Sequence, residues 1–299
     1  MIPNAFATSI VSRYAKAGRS WLAQLPHQID DLCARWQLSI NGKPMSGFLG
    51  LVIPVQRGNQ QLALKVAWRD VSVASEAAAL RRWRGDGAVR LVEYDIAQQA
   101  LLLERLNADR TLDDVLLSEA LVIAGRLYHR LAVEPPEGIR PQAEIVAEMV
   151  HNMTQRHVQF GRNIPPAWFD KTLNLAHDLA QPTRPLLINY DLHYGNVLAG
   201  EREPWLVIDP KVIAGDKAFG IAQLLWCRFE PHEADTVLDR LDRLIDSAEL
   251  DPQKAYAWAL IRTVDYWLWA LSVGFTDDPL RCAVIAQQLV PQQHDFAGR

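Results

Sequence analysis

The chain has 299 residues, of which 49% are hydrophobic and 22% are charged, a composition typical of a soluble globular protein. This composition excludes intrinsic disorder, collagen and a coiled coil, and the length suits one large domain or two lobes. The 31 basic and 35 acidic side chains leave a net charge of −4, which does not favour binding to nucleic acid.

The first 37 residues are predicted to form a helical arm. The first 29 contain three basic side chains and no acid, as a transit peptide would. Against that alternative, apolar residues from Ile10 through Trp21 to Leu25 recur at helical spacing and continue into residues 29–36. We therefore expect a structural helix at the N-terminus.

Residues 38–104 are predicted to form a small β-sheet crossed by one helix. Apolar segments at 48–55 and 62–66 flank a turn at 57–60, which indicates a β-hairpin. A short helix is expected to start at Ser72 or Ser75 and to end at Gly85. Two further strands are expected within 89–94 and 100–103.

Residues 105–299 are predicted to be mainly helical. Thr111 resembles a helix N-cap, and apolar periodicity predicts helices at 113–132, 141–160, 166–180, 231–248 and 252–273. Short strands are expected in an island at 186–210. No apolar run reaches the roughly 18 to 20 residues that a membrane-spanning helix needs. The three cysteines are widely separated, which predicts reduced thiols in a cytoplasmic protein.

The strand island contains the most informative polar motif. Asp191 is followed five residues later by Asn196, and Asp209 comes directly after the apolar strand 206–208. Carboxylate and amide oxygens are suitable ligands for a hard cation such as Mg²⁺, which would leave Asp191 free to accept a proton from a hydroxyl. Asp-x-x-x-x-Asn is a weak motif by itself. It gains weight from Lys65 in a hairpin strand and Glu76 on the helix that follows.

In this order, the motifs resemble those of the protein-kinase-like fold. Protein kinases usually have lysine two residues after the catalytic aspartate, whereas this chain has His193, as in the aminoglycoside phosphotransferases. The segments RGDGAVRL (84–91), LLLER (101–105) and PWLVIDPK (204–211) are similar to the streptomycin 6-kinase and hydroxyurea phosphotransferase branch.

This resemblance implies an α+β, two-lobed fold. Its parts would be a helical arm (1–37), an N-lobe with a small antiparallel sheet and one helix that binds nucleotide (38–104), and a mainly helical C-lobe with the catalytic loop and the acceptor site (105–299). By the same resemblance, Lys65 would bind the α- and β-phosphates of ATP and Glu76 would pair with Lys65. Asp191 would be the catalytic residue, and Asn196 and Asp209 would hold Mg²⁺.

Two further ATP contacts are implied less directly. The hinge from Glu104 to Leu106 would meet adenine through backbone groups. The loop at 42–47 lacks the glycine pattern of protein kinases, but Ser46 and Gly47 are predicted to offer backbone N–H groups to a phosphate.

One departure from the family pattern lies beside the catalytic aspartate. The family usually has His-Gly before that residue, and this chain has Asn189 and Tyr190. The change from glycine constrains the backbone, and the change from histidine alters the hydrogen bonds that hold the loop. Activity is still expected because Asp191 is present, and the two changes are compatible with a reduced rate.

Charge is unevenly distributed along the chain. Residues 1–100 have 12 basic and 7 acidic side chains, whereas residues 101–299 have 19 basic and 28 acidic ones. Variation of surface charge explains this as readily as an anionic ligand at the front and a cationic ligand at the back. Glu230 and Asp265 are the two candidates for contact with a cationic acceptor.

The sequence therefore predicts an ATP- and Mg²⁺-dependent kinase of a small cationic molecule, by resemblance an aminoglycoside such as streptomycin. A kinase of a metabolite and a nucleotide-binding pseudoenzyme stay open as alternatives. The chain is expected to act in the cytoplasm as a monomer, without nucleic-acid or membrane partners.

Overall fold

The computed structural model describes residues 2–47, 49–68 and 72–293. Within these residues the helices are α1 (Asn4–Arg35), α2 (Ser72–Trp83), α3 (Leu117–Leu131), α4 (Gln142–Phe160), α5 (Pro166–Asp178), α6 (Gln223–Trp226), α7 (Val237–Ala248), α8 (Pro252–Ser272) and α9 (Asp277–Leu289). The strands are β1 (Ser39–Ile40), β2 (Met45–Ser46), β3 (Gly50–Arg57), β4 (Gln60–Ala67), β5 (Leu91–Asp95), β6 (Ala100–Glu104), β7 (Asn107–Thr111), β8 (Leu186–Asn189), β9 (Val197–Ala199), β10 (Leu206–Val207) and β11 (Val212–Gly215).

The chain forms two compact units. The first unit comprises Met1–Asn107 together with Gly200–Pro204, and the second unit comprises Ala108–Ala199 together with Trp205–Arg299. The short segment 200–204, which connects β9 to β10, thus packs with the first unit although its flanking strands belong to the second.

The first unit is built on an antiparallel sheet. Its strand order is β1-β3-β4-β6-β5, and β2 also pairs with β3. The β3–β4 hairpin turns at Gly58, and Lys65 on β4 lies opposite Val52 on one side and Leu101 on the other. The predicted hairpin and both following strands are therefore confirmed, except for Phe48, which lies outside the described residues.

The N-terminal helix α1 is part of the core of the first unit. Phe6, Ile10, Leu25, Ile29 and Leu32 pack against apolar side chains of β3 and β4. The helix bends at Ala15, where φ is 46°, and Gly18 follows the bend. A Cβ at Gly18 would lie 2.7 Å from the carbonyl oxygen of Ile10, so a residue without a side chain is needed where the chain passes so closely.

The second unit is mainly helical. Helix α8 lies at its centre and buries Trp258, Leu260, Ile261, Val264 and Leu268. Two small sheets accompany the helices. One has the order β10-β9-β7, with β10 antiparallel to β9, and the other is the antiparallel pair of β8 and β11. An antiparallel sheet in one unit and a mostly helical second unit confirm the predicted α+β class.

Helix starts account for the main differences from prediction. Helix α3 begins at Leu117 because Thr111 caps a separate 3-10 turn, in which its hydroxyl accepts from the Asp113 N–H and its own N–H donates to Asp114. Residues 231–236 also form 3-10 turns, so α7 starts at Val237. Helices α6 and α9 and strands β7 and β11 have no counterpart among the elements predicted from the sequence.

Two further expectations concern membranes and cysteines. No helix in the described parts of the chain is long and apolar enough to cross a membrane. Cys33, Cys227 and Cys282, all within the described residues, form no disulfide. Burial raises the pKa of the Cys227 thiol to about 12, which makes it a poor nucleophile.

Candidate active site

A buried ion pair lies in the first unit. The ammonium Nζ of Lys65 is 2.6 Å from Oε2 of Glu76, and the two side chains are only 13% and 2% exposed. Strand β4 holds Lys65 between two hydrogen-bonded neighbours, and α2 presents Glu76 on its buried face. The predicted pairing is thus confirmed. Its burial makes the pair costly to break, because removing one partner would leave the other charge buried without this contact.

The proposed hinge is held by Glu104. Its carboxylate accepts hydrogen bonds from the Arg202 guanidinium at 2.8 and 3.4 Å and from the Arg90 N–H at 3.2 Å. Arg202 also donates to the carbonyl oxygen of Ala88. The side chain of Glu104 is therefore already engaged, which agrees with adenine contact through backbone groups only. Leu106, in the short link from β6 to β7, is partly buried.

The predicted phosphate loop adopts a hairpin-like structure. Ser46 belongs to β2 and lies opposite Leu51 on β3. The N–H of Gly47 donates to the carbonyl oxygen of Gly50 at 2.9 Å. The N–H of Gly47 is thus not free for a phosphate in this conformation, because it closes the turn between the two strands.

In the second unit, main-chain pairing brings together the segments of Asn196 and Asp209. Strand β9 starts directly after Asn196 and pairs antiparallel with β10, with Val197 opposite Val207. The N–H of Ile208 donates to the carbonyl oxygen of Asn196 at 2.9 Å. Asp209 then adopts a left-handed conformation with φ of 49°. Strained residues of this kind are concentrated at functional sites.

Asn196 and Asp209 fit a magnesium site whose remaining ligands come from substrate phosphate and water. No group of three or more His, Cys, Asp or Glu side chains that could hold a metal occurs in the parts of the chain that the structure describes. Asn196 and Asp209 offer hard oxygen donors, and Mg²⁺ commonly takes one or two protein carboxylates and completes its shell with phosphate oxygens and water.

The departure at Asn189 has a structural explanation. Asn189 is 3% exposed, and its Oδ1 accepts hydrogen bonds from the backbone N–H groups of Asp191 and Lys211, both at 3.2 Å. A Cβ at Gly220 would lie 2.5 Å from the carbonyl oxygen of Asn189, so only glycine permits this approach. Asn189 thus ties the segment before Asp191 to the segment after Asp209.

Asp191 has a partner that no sequence pattern indicated. The ammonium Nζ of Lys211 lies 2.8 Å from Oδ2 of Asp191. Burial, the largest influence, lowers the pKa of Lys211, but the charges of Asp191 and Asp209 and the hydrogen bond to Asp191 outweigh it and raise the pKa. Lys211 is therefore a cation beside the catalytic candidate.

His193 and Tyr190 flank Asp191. Burial lowers the pKa of His193, and the nearby carboxylates of Asp191, Asp113 and Asp209 oppose this effect only in part. The ring of Tyr190 packs edge-on against Phe219, and the Arg262 guanidinium lies 5.8 Å from the centre of the Tyr190 ring. Burial also raises the pKa of Tyr190, so its hydroxyl stays protonated near neutral pH.

Both acidic residues predicted to contact substrate already have arginine neighbours. Glu230 lies 2.9 Å from Arg281. Asp265 lies 3.6 Å from Arg156 and 4.0 Å from Arg262, and burial raises the pKa of its carboxyl although both arginines oppose this. Half of the Glu230 side chain is exposed, so Glu230 is the more accessible of the two.

Comparison with known proteins supports the motif-based resemblance. Residues 35–274 match the family described as aminoglycoside/hydroxyurea antibiotic resistance kinase. The chain is 38% identical to hydroxyurea phosphotransferase of Kitasatospora aureofaciens (92% of this chain, 81% of the relative) and 32% identical to streptomycin 6-kinase of Streptomyces glaucescens (96% of both chains).

Solved structures show a similar fold. A choline/ethanolamine kinase family protein from Mesorhizobium loti superposes with a TM-score of 0.61 at 13% identity, covering 90% of this chain and 96% of the other. At such low identity the likeness concerns the fold alone, which is the protein-kinase-like fold expected from the sequence.

Proposed function

The chain belongs to the aminoglycoside/hydroxyurea antibiotic resistance kinase family, and from this premise we propose that it phosphorylates a hydroxyl group of streptomycin or a similar cationic aminoglycoside, with ATP as donor. The observation that carries the proposal is the arrangement around Asp191. The carboxylate of Asp191 lies beside the ammonium of Lys211. The loop after Asp191 ends at Asn196, whose carbonyl oxygen accepts a hydrogen bond from the N–H of Ile208, the residue before Asp209.

Asp191 is the proposed proton acceptor. The acceptor oxygen attacks the γ-phosphorus, the bond from that phosphorus to the β–γ bridging oxygen breaks, and ADP leaves with the electron pair. The hydroxyl proton passes to Asp191. Asn196 and Asp209 would hold Mg²⁺, which when bound neutralises negative charge on the phosphate oxygens. Because positioning and charge neutralisation dominate phosphoryl transfer, the chain needs no covalent nucleophile.

The first unit supplies the proposed nucleotide contacts. Lys65 would bind the α- and β-phosphates, and Glu76 would fix the direction of its ammonium through their 2.6 Å ion pair. The backbone from Glu104 to Leu106 would meet adenine, and Ser46 would offer its N–H to a phosphate. In this account residues 38–104 bind nucleotide, residues 105–299 bind the acceptor, and residues 1–37 support the sheet.

Hydroxyurea is a second candidate acceptor because a hydroxyurea phosphotransferase is 38% identical to this chain. The acidic excess of residues 101–299 favours a cation over this neutral molecule. Glu230 and Asp265 would contribute to that preference. The protein would act as a cytoplasmic monomer.

An acceptor panel tests this proposal. Purified protein with Mg²⁺ and ATP is incubated with streptomycin, hydroxyurea, choline or a simple sugar, and products are detected by mass spectrometry. Streptomycin gaining one phosphoryl group is the expected result. A product from choline or sugar alone would favour a metabolite kinase. ATP-dependent thermal stabilisation without any product would favour a pseudoenzyme.

A further inference from the structure

Lys211 and Asp191 form an ion pair whose geometry is set by the backbone. The ammonium contacts Oδ2 of Asp191 at 2.8 Å, and the two side chains are 44% and 25% exposed. Pairs this exposed, when joined by flexible side chains alone, contribute little to stability. This pair differs because the main chains that carry its members are bonded directly to each other.

Three hydrogen bonds fix these main chains. The N–H of Tyr190 donates to the carbonyl oxygen of Lys211 at 2.9 Å. Oδ1 of Asn189 accepts from the N–H groups of Asp191 and Lys211 at 3.2 Å. The β8–β11 ladder continues this pairing with Asn189 opposite Val212. The ion pair therefore starts from a rigid frame, which lowers the entropy lost when the side chains meet.

The shortest contact of the ammonium is with Oδ2 of the carboxylate, at 2.8 Å. Free rotation of a carboxylate would spread both oxygens over many directions, whereas a proton acceptor must point one of them at the hydroxyl. Lys211 engages Oδ2. Oδ1 is then the oxygen left for the acceptor hydroxyl.

We propose that Lys211 is a positioning residue for phosphoryl transfer: it holds Asp191 through Oδ2 and thereby directs Oδ1 to the acceptor hydroxyl. This inference rests on the proposed role of Asp191. It assigns to Lys211 no contact with the acceptor and none with ATP. Loss of Lys211 should therefore slow turnover with little effect on either Michaelis constant.

Kinetics of three variants test the assignment. Lys211→Met removes the charge and keeps a side chain of similar length, and Lys211→Arg keeps a cation. Lys171→Met is the control: Lys171 on α5 donates a hydrogen bond to the carbonyl oxygen of Gln293, so this variant also removes a lysine with a polar contact, but that contact does not involve Asp191. Lys211→Met is expected to lower kcat at least about tenfold with KM changed less than about threefold, and Lys211→Arg to recover most of the loss. Unchanged kcat in Lys211→Met, or a loss confined to KM for ATP, overturns the assignment.

A second measurement requires no turnover and so separates this inference from the proposed function. Thermal unfolding is compared for wild type, Lys211→Met, Asp191→Asn and the double variant. Lys211→Met should lower Tm by about 1–3 °C more in the wild-type background than in the Asp191→Asn background. Equal shifts in both backgrounds overturn the assignment. Absence of phosphorylated streptomycin from wild type, with this coupling present, would refute the proposed acceptor, whereas the hold of Lys211 on Asp191 would stand.

Discussion

The N–H of Ile208 donates a hydrogen bond to the carbonyl oxygen of Asn196, and the two atoms are 2.9 Å apart. This bond extends the β9–β10 pairing by one step and brings the main chain of Asn196 next to the residue that precedes Asp209. Two oxygen donors that are 13 positions apart in the sequence thereby belong to one local structure.

A charge-removing variant tests this metal assignment. Asp209→Asn should fold normally, because asparagine tolerates the left-handed φ of 49° that Asp209 adopts. It should require at least about tenfold more Mg²⁺ for half-maximal activity. The measurement is a Mg²⁺ titration of initial rate, with Asp170→Asn on α5 as the control because Asp170 is exposed. An unchanged Mg²⁺ requirement would argue against Asp209 as a ligand.

The buried pair of Lys65 and Glu76 predicts a combined loss of stability and nucleotide affinity. Lys65→Met leaves the Glu76 carboxylate buried without its cation, so the free energy of unfolding should fall by about 3–5 kcal/mol. Affinity for Mg²⁺-ATP, measured by calorimetry at a temperature where the variant is folded, should fall at least about tenfold. Lys16→Met on the exposed side of α1 is the matched control. If Lys65→Met binds Mg²⁺-ATP with the affinity of wild type, Lys65 does not bind the nucleotide.

Asn189, which differs from the family pattern, is expected to support both stability and turnover. Asn189→Ala removes the oxygen that accepts from the N–H groups of Asp191 and Lys211, and unpaired donors of this kind cost about 1–3 kcal/mol. Stability should fall by about that amount, and kcat should fall as the Asp191 loop loses its support. Denaturant unfolding and steady-state kinetics measure both, with exposed Asn152→Ala as the control. Normal kcat in a destabilised Asn189→Ala would show that this support does not serve catalysis.

His193 predicts how stability depends on pH. Its pKa in the folded protein lies below the ordinary 6.5 because of burial, so the unfolded chain binds the proton more readily. The stabilising contribution is fully present above 6.5 and is lost as pH falls from there towards the folded pKa. Between about pH 7 and 5, the Tm of His193→Gln should therefore fall less than the Tm of wild type. Exposed His151→Gln serves as control, and parallel pH curves for wild type and His193→Gln would contradict the prediction.

Local patterns predicted much of this architecture. The β3–β4 hairpin follows from two apolar segments around a turn, and the Lys65–Glu76 pair follows from a strand lysine and a helix acid in the order that the resemblance supplied. The start of α3 was wrong because a capping residue is compatible with either helix type. Only hydrogen-bond geometry distinguishes the 3-10 turn at Thr111 from an α-helix.

Other features depend on contacts between distant segments and had no local signal. Lys211 meets Asp191 only because β8 pairs with β11, a strand that the periodicity did not reveal. The role of Asn189 likewise depends on the main chain 22 positions later, and Arg202 reaches Glu104 from 98 positions away. The engaged N–H of Gly47 depends on a hydrogen bond to the carbonyl oxygen of Gly50 that composition alone does not specify.

The most direct test of the account is the rate of streptomycin phosphorylation by wild type and Asp191→Asn at saturating Mg²⁺ and ATP. Mass spectrometry of the product avoids interference from ATP hydrolysis. Wild type should convert streptomycin to a monophosphate, and Asp191→Asn should be slower by about 10²–10⁴-fold, the usual contribution of a proton-accepting side chain. Asp191→Asn that makes the same product at the wild-type rate would contradict the assignment of Asp191 as the catalytic residue.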